Sequence, residues 1–142
     1  MLLGAAVVLA GCARERFHDP EWPPPDASVG EVRYQSGWAT YYASRFAGRM
    51  TANGERYDPR AMTAAHRTLP FGTLVKVQRA DGQSVIVRIN DRGPFVSGRI
   101  LDLSHRAAEE LGMLKTGKIW VELRVLVPSD RPPMASQERD AR

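Results

Sequence analysis

Three carboxylates and one histidine stand in two turn-rich stretches of this sequence. The first stretch, TANGERYDPRAMTAAHRTLP (residues 51–70), holds Glu55, Asp58 three residues on, and His66 eight beyond that. The second, RINDRGPF (residues 88–95), carries Asp91 out of a β-like run into Arg92-Gly93-Pro94, which forces a turn. Carboxylates and imidazoles do general acid–base work when a fold holds them beside a cleft. The same residues also suit plainer roles. Loops collect solvated acids, and Asn90-Asp91 can form an Asx turn that caps its own bend. Spacing alone does not choose between these readings.

The surrounding elements read as mostly β. EVRYQSGWATYYAS is rich in aromatic and β-branched residues, as half-buried strands are. In TLVKVQRADGQSVIVRIN, Val75 and Val77 alternate with polar neighbours, and Val85, Val87 and Ile89 share one face, with Arg88 and Asn90 on the other. Asp81-Gly82 between the two runs predicts a hairpin turn. GRILDLS is a further short strand. Ser104 is a good N-cap for the helical HRAAEELG, which Gly112 closes. KIWVELRVLV places Ile119, Val121, Leu123 and Val125 on one face of a last strand. About six short strands with one or two short helices predict a small closed barrel.

The ends differ from this core. MLLGAAVVLAGC is apolar up to the single cysteine, Cys12. It is too short to span a bilayer, which takes about 20 residues, and has the length of a secretory h-region. Leu9-Ala10-Gly11-Cys12 resembles a bacterial lipobox, so residues 1–12 are expected to be a lipoprotein signal with Cys12 as the lipidated residue. No Lys or Arg precedes Cys12, which departs from the usual positive start of such a signal. Residues 13–30, with Pro23-Pro24-Pro25, read as a proline-rich linker. Residues 31–127 read as the folded domain and residues 128–142 as a disordered tail. The net charge is +4, and of 20 basic residues only Lys76, Lys115 and Lys118 are lysines. The basic residues are scattered among 16 acids without a stripe or recognition motif, so no nucleic-acid partner is expected.

Taken together, GWATYYASRFAGRMTANGERYD, MTAAHRTLPFGTLVKV, VIVRINDRGPF and GRILDLSHRAAEELGM resemble the rare lipoprotein A family of bacterial envelope proteins. The resemblance runs from about Gly37 to Val125. It implies a mainly β fold, a six-stranded double-psi β-barrel. It also implies an endolytic lytic transglycosylase that cuts peptidoglycan glycan strands, preferably stripped of stem peptides, to 1,6-anhydro-muramic ends. Carried over residue by residue, the family's acids fall on Glu55, Asp58 and Asp91 and its histidine on His66. Related barrels keep their general acid at the Asp91 position. Tyr41, Tyr57, Arg88 and Arg92 are assigned to substrate binding, with Tyr41 standing where the family's pattern has tryptophan. Many relatives carry a C-terminal SPOR domain; residues 128–142 leave no room for one, so the barrel is expected to bind glycan unaided.

The implied chemistry needs one acid to protonate the leaving glycosidic oxygen. The muramic C6 hydroxyl then attacks C1 internally, so no second carboxylate has to activate water. That acid must keep its proton near neutral pH, and convergence of Glu55, Asp58 and Asp91 on one cleft would help by like-charge pressure. His66 either orients a carboxylate, binds sugar hydroxyls or fixes its own loop. No metal or cofactor is expected, because His18, His66, His105 and one cysteine are too scattered for a zinc site. Expected partners are glycan strands and, through the lipid, a membrane. With Ala13 rather than aspartate after Cys12, that membrane would be the outer one, facing the periplasm. The protein is expected to be monomeric. The rival reading is a non-catalytic, expansin-like peptidoglycan-binding lipoprotein.

Overall fold

Strict alternation decides which side of each strand turns inward. In the computed structural model, which describes residues 29–128, six strands use that alternation to close a barrel. They are β1 (Val29–Tyr41), β2 (Thr63–Ala65), β3 (Leu74–Arg79), β4 (Ser84–Asp91), β5 (Arg99–Leu103) and β6 (Ile119–Pro128). Around the ring the order is β1-β5-β2-β4-β3-β6. Two pairs, β1 with β5 and β2 with β4, are parallel, and the rest are antiparallel. This is the double-psi barrel that the sequence motifs imply. One α-helix, α1 (His105–Glu110), and one 3-10 turn (Ser44–Phe46) complete the elements. Residues 1–12 with Cys12, expected to be a signal, residues 13–28 of the expected linker and residues 129–142 of the expected tail lie outside the described residues.

Val75, Val77, Val87, Ile89, Leu101, Leu103, Val121 and Leu123 fill the barrel with essentially no exposure. Leu111 and Met113 bury α1 and the turn after it against this core. The β3–β4 hairpin turns at residues 80–82, where Gly82 takes φ +89°, a region that a side chain disfavours. Ser104 accepts from the Ala107 amide at 3.2 Å and caps α1 as expected.

Two features govern the functional rim. The chain between β1 and β2, residues 42–62, is long and non-regular, and it folds back on β4. β4 also carries an irregularity at its end: Ala64 pairs with Ile89 but Ala65 pairs with Asp91, leaving Asn90 as an extra residue. Bulges of this kind re-aim the side chain that follows them. Here they turn Asp91 toward the 42–62 segment.

Candidate active site

Asp91 ends β4 beside the 42–62 segment, and three donors fix its carboxylate. Oδ1 accepts from the amides of Ala52 (2.9 Å) and Arg92 (2.8 Å). Oδ2 accepts from the Tyr42 hydroxyl at 2.9 Å. Arg92 leads into Gly93, whose φ of +122° only glycine adopts readily, so the chain can leave the rim sharply. Tyr42 stands edge-on to Tyr57, with ring centroids 5.4 Å apart. Asp91, Tyr42, Phe46, Arg49, Met50, Thr51 and Tyr57 together line a cleft of about 200 Å3. Burial first, and then the charge of Asp91, push the Tyr42 phenol well above its ordinary range. Tyr42 therefore stays a proton donor to Asp91 at any working pH.

Of the three carboxylates, only Asp91 lines this cleft. Glu55 is gripped by the Arg88 fork, Oε1 to Nη1 at 2.6 Å and Oε2 to Nη2 at 3.0 Å. Asn53 and Asn90 donate to it as well. The Arg88 hydrogen bonds, outweighing the opposite effect of burial, lower its pKa from 4.5 to about 2. This is the reverse of the raised pKa that a general acid needs, and it corrects the expectation of like-charge pressure. Glu55 instead shapes the loop: Thr51 and Gly54 close a tight turn on each other and on Glu55, and the Asn53 amide meets the Asn90 carbonyl at 3.2 Å. That clamp is what brings the Ala52 amide to Asp91. Asp58 is half exposed, bonds to the Arg60 amide at 2.9 Å and pairs weakly with the Arg60 side chain at 3.4 Å.

His66 is buried, and its ring serves its own loop. Nδ1 accepts from both the Thr68 and Leu69 amides at 3.1 Å, so the proton sits on Nε2 and faces Gln35 Oε1 at 3.1 Å. Burial, and then the charges of Arg92 and Arg67, hold its pKa below the ordinary value. The link to Asp91 is indirect. The His66 amide donates to the Asp91 carbonyl at 3.2 Å. The His66 and Leu69 carbonyls accept from the Arg92 guanidinium, which also lies 3.9 Å over the Phe71 ring. Arg92 and Arg88 are thus engaged with the scaffold rather than aimed into the cleft.

Tyr41 departs from its assigned role. Its side chain turns inward, packs against the core and donates to the Leu114 carbonyl at 3.0 Å. The next residue, Tyr42, occupies the cleft. Tyr57 does line the cleft, but it is buried and accepts from the His105 amide, so it forms a wall rather than a platform. Sequence reasoning also passes over Phe46, Arg49 and Asp102. Asp102 is buried on the outer face of β5, bonded to Thr40 and to Arg99, and its charge contributes to the raised pKa of Tyr42. The signal for Tyr42 was strand parity: with Ala39 and Tyr41 inward, Trp38, Thr40 and Tyr42 share the outer face.

A larger groove lies elsewhere among the described residues. It measures about 850 Å3, is lined by Met62, Leu74, Ile86, Arg88, Val125 and Leu126 among others, and holds no carboxylate. No group of three or more metal-ligating side chains occurs among the described residues.

Six strands closed in a ring with two parallel pairs, and an aspartate held at the rim, define the class as double-psi β-barrel proteins, a fold that does not by itself choose among activities. The comparisons choose the family. Residues 34–123 match the family model described as lytic transglycolase, and the chain belongs to that family. It is 48% identical over 115 residues to the endolytic peptidoglycan transglycosylase RlpA of Neisseria meningitidis, covering 80% of this chain and 48% of that one. It is 57% identical over 116 residues to the probable endolytic peptidoglycan transglycosylase RlpA of a Nostoc species, covering 79% of this chain and 31% of that one. The chain thus spans about half or less of the length of these relatives. Among solved structures, the apo expansin of Clavibacter michiganensis is similar with a TM-score of 0.51 and 26% identity, over 69% of this chain and 52% of that one. The Streptomyces papain inhibitor shares the fold with a TM-score of 0.54 and 24% identity, over 72% and 99% respectively.

Proposed function

We propose that the barrel is an endolytic peptidoglycan lytic transglycosylase and that Asp91 is its acid and base. The observation that carries this reading is the Asp91 carboxylate itself. Of the three motif carboxylates it alone lines the cleft, where two backbone amides and the Tyr42 hydroxyl fix its position. In the protonated state Asp91 gives its proton to the glycosidic oxygen as the C1–O bond breaks. The resulting carboxylate takes the proton of the muramic C6 hydroxyl as that oxygen bonds to C1. Proton and electron pairs balance within the enzyme and the strand, and no water enters the product. A single competent carboxylate suits this reaction, whereas an ordinary hydrolase uses two. The curated names of the relatives support the same activity.

Glu55 and His66 are positioning residues in this proposal, and Phe46 and Arg49 join Tyr57 in forming the sugar-facing walls. The test is digestion of denuded glycan strands in heavy-oxygen water. Anhydro ends without the label are expected; labelled reducing ends would replace this reading with a hydrolase. The expansin likeness supports one alternative, a barrel that grips strands and releases nothing, and the same digestion detects it.

The lipoprotein reading of Cys12, with outer-membrane anchoring toward the periplasm and a monomeric barrel, extends the proposal. Its support is the apolar run ending in Leu-Ala-Gly-Cys. Cys12→Ser in a cell expressing the full gene should move the protein out of the membrane fraction; retention there would overturn the anchor.

A further inference from the structure

The outer face of β1 carries more than the acid's tyrosine. Trp38 and Thr40 lie on it at two-residue spacing, Tyr42 follows one residue past the strand's end, and across the strand pair Trp38 lies directly opposite Trp120 of β6. The two indoles meet edge to face, with centroids 5.4 Å apart and planes at 89°. Both remain open to solvent, Trp120 at 53% and Trp38 at 37%. Lys118, one of only three lysines in the chain, holds its ammonium 4.7 Å from the Trp38 ring. Neither indole covers the core, because the inward residues beside them, Ala39 and Val121, fill the barrel.

This pair is continuous with the proposed active site. From Trp38 to Tyr42 is about 13 Å along the strand at ~3.3 Å per residue, a reach of a few sugar residues. Thr40, bonded to Asp102, occupies the step between. The 92–98 loop closes the other side: the Phe95 ring lies over Gly93, just after the acid, and is 82% exposed, while Gly98 touches Trp38 and its carbonyl accepts from the Trp38 amide. Exposed indoles present broad, rigid faces to the axial C–H bonds of pyranose rings. An ammonium beside them suits a polymer that carries carboxylates on its sugars. A glycan strand stripped of peptide has such a carboxylate on every muramic acid.

We infer that Trp120, Trp38 and Lys118 form a distal subsite that holds an anionic glycan strand while Asp91 cuts a few sugars away. This deepens the transglycosylase reading and rests on it. The subsite would favour long strands over short fragments, which fits endolytic cleavage.

The experiment uses the full soluble chain and compares long denuded strands with a fragment short enough to occupy only the Asp91 cleft. Trp120→Ala should raise KM for long strands roughly three- to tenfold, the scale of one aromatic contact, while kcat and the short-fragment kinetics stay unchanged. Trp120→Phe should recover much of the loss, which separates ring stacking from folding damage, and melts of both variants check the fold. Lys118→Gln should flatten the salt dependence of long-strand binding. Strands with amidated lactyl carboxylates should reduce wild type to the behaviour of that variant. Equal KM for wild type and Trp120→Ala on long strands overturns the subsite but leaves the active site standing. Failure of wild type to bind or cut any strand overturns the underlying reading instead. Loss of anionic-vesicle binding by Trp120→Ala, with strand kinetics unchanged, overturns the subsite in favour of a membrane-facing patch.

Discussion

Replacing Glu55 by glutamine leaves the size of the side chain intact and removes the charge that the Arg88 fork grips. Glutamine can accept from one guanidinium nitrogen only, and its amide turns a donor toward the other. The fall of the Glu55 pKa from 4.5 to about 2 measures the native preference for the charged form. At about 1.36 kcal/mol per pH unit this amounts to ~3 kcal/mol. The side chain is 40% exposed, so solvent screening reduces the contribution to ~1–2 kcal/mol. Because the folded pKa is the lower one, this stability is fully present above pH 4.5 and is lost as pH falls through about 2. Denaturant melts of wild type and Glu55→Gln across that range provide the assay. A gap of ~1–2 kcal/mol is expected at pH 7, closing below pH 4.5 and nearly gone at pH 2. A gap that persists to pH 2, or none at pH 7, would refute the account of Glu55 as a charged clamp. Turnover should fall with the loosened loop, yet its pH profile should keep its shape, since Glu55 transfers no proton.

Three further substitutions probe the neighbouring contacts. Tyr42→Phe deletes the donor to Asp91 Oδ2; kcat should fall by about 10²-fold with a melt within about 1 kcal/mol of wild type, and undiminished kcat would remove Tyr42 from the site. His66→Ala leaves the Thr68 and Leu69 amides without their acceptor and should cost ~1–3 kcal/mol at pH 7.5. The folded ring resists protonation while the unfolded ring titrates near 6.5, so the wild-type contribution is present above that pH and lost below it; the variant should lack this component, and parallel pH curves would contradict it. Asp58→Asn removes only a half-exposed pair to a largely solvated Arg60, and should change stability by ~0.5 kcal/mol or less; a large loss of turnover in kinetics would show that Asp58 reaches the substrate.

Much of the barrel was legible in the sequence because single residues carried unambiguous local physics. The valine alternation around Asp81-Gly82 fixed β3 and β4, and Ser104 announced the start of α1. β2 was not legible. Three residues, Thr-Ala-Ala, are too short to show a period, all three are buried, and alanine favours strands weakly. The site divided in the same way. The family resemblance pointed to Asp91, Glu55, Asp58 and His66, but their division of labour depends on pairings across the fold. Arg88 meets Glu55 over 33 residues of sequence, and the Nδ1 contacts of His66 follow from a loop conformation rather than a pattern. Tyr41 took its assignment from the family's tryptophan position, whereas alternation along β1 turns Tyr41 inward with Ala39 and leaves Tyr42 on the outer side.

The central claim is that Asp91 alone moves the proton in a reaction that closes the muramic ring on itself. Mass spectrometry of denuded strands after treatment with wild type and with Asp91→Asn tests it most directly, with thermal melts of both proteins alongside. Wild type should yield 1,6-anhydro-muramic ends, and the equally stable Asp91→Asn variant a rate lower by ~10²–10⁴. Anhydro ends formed by Asp91→Asn at near wild-type rate would contradict it.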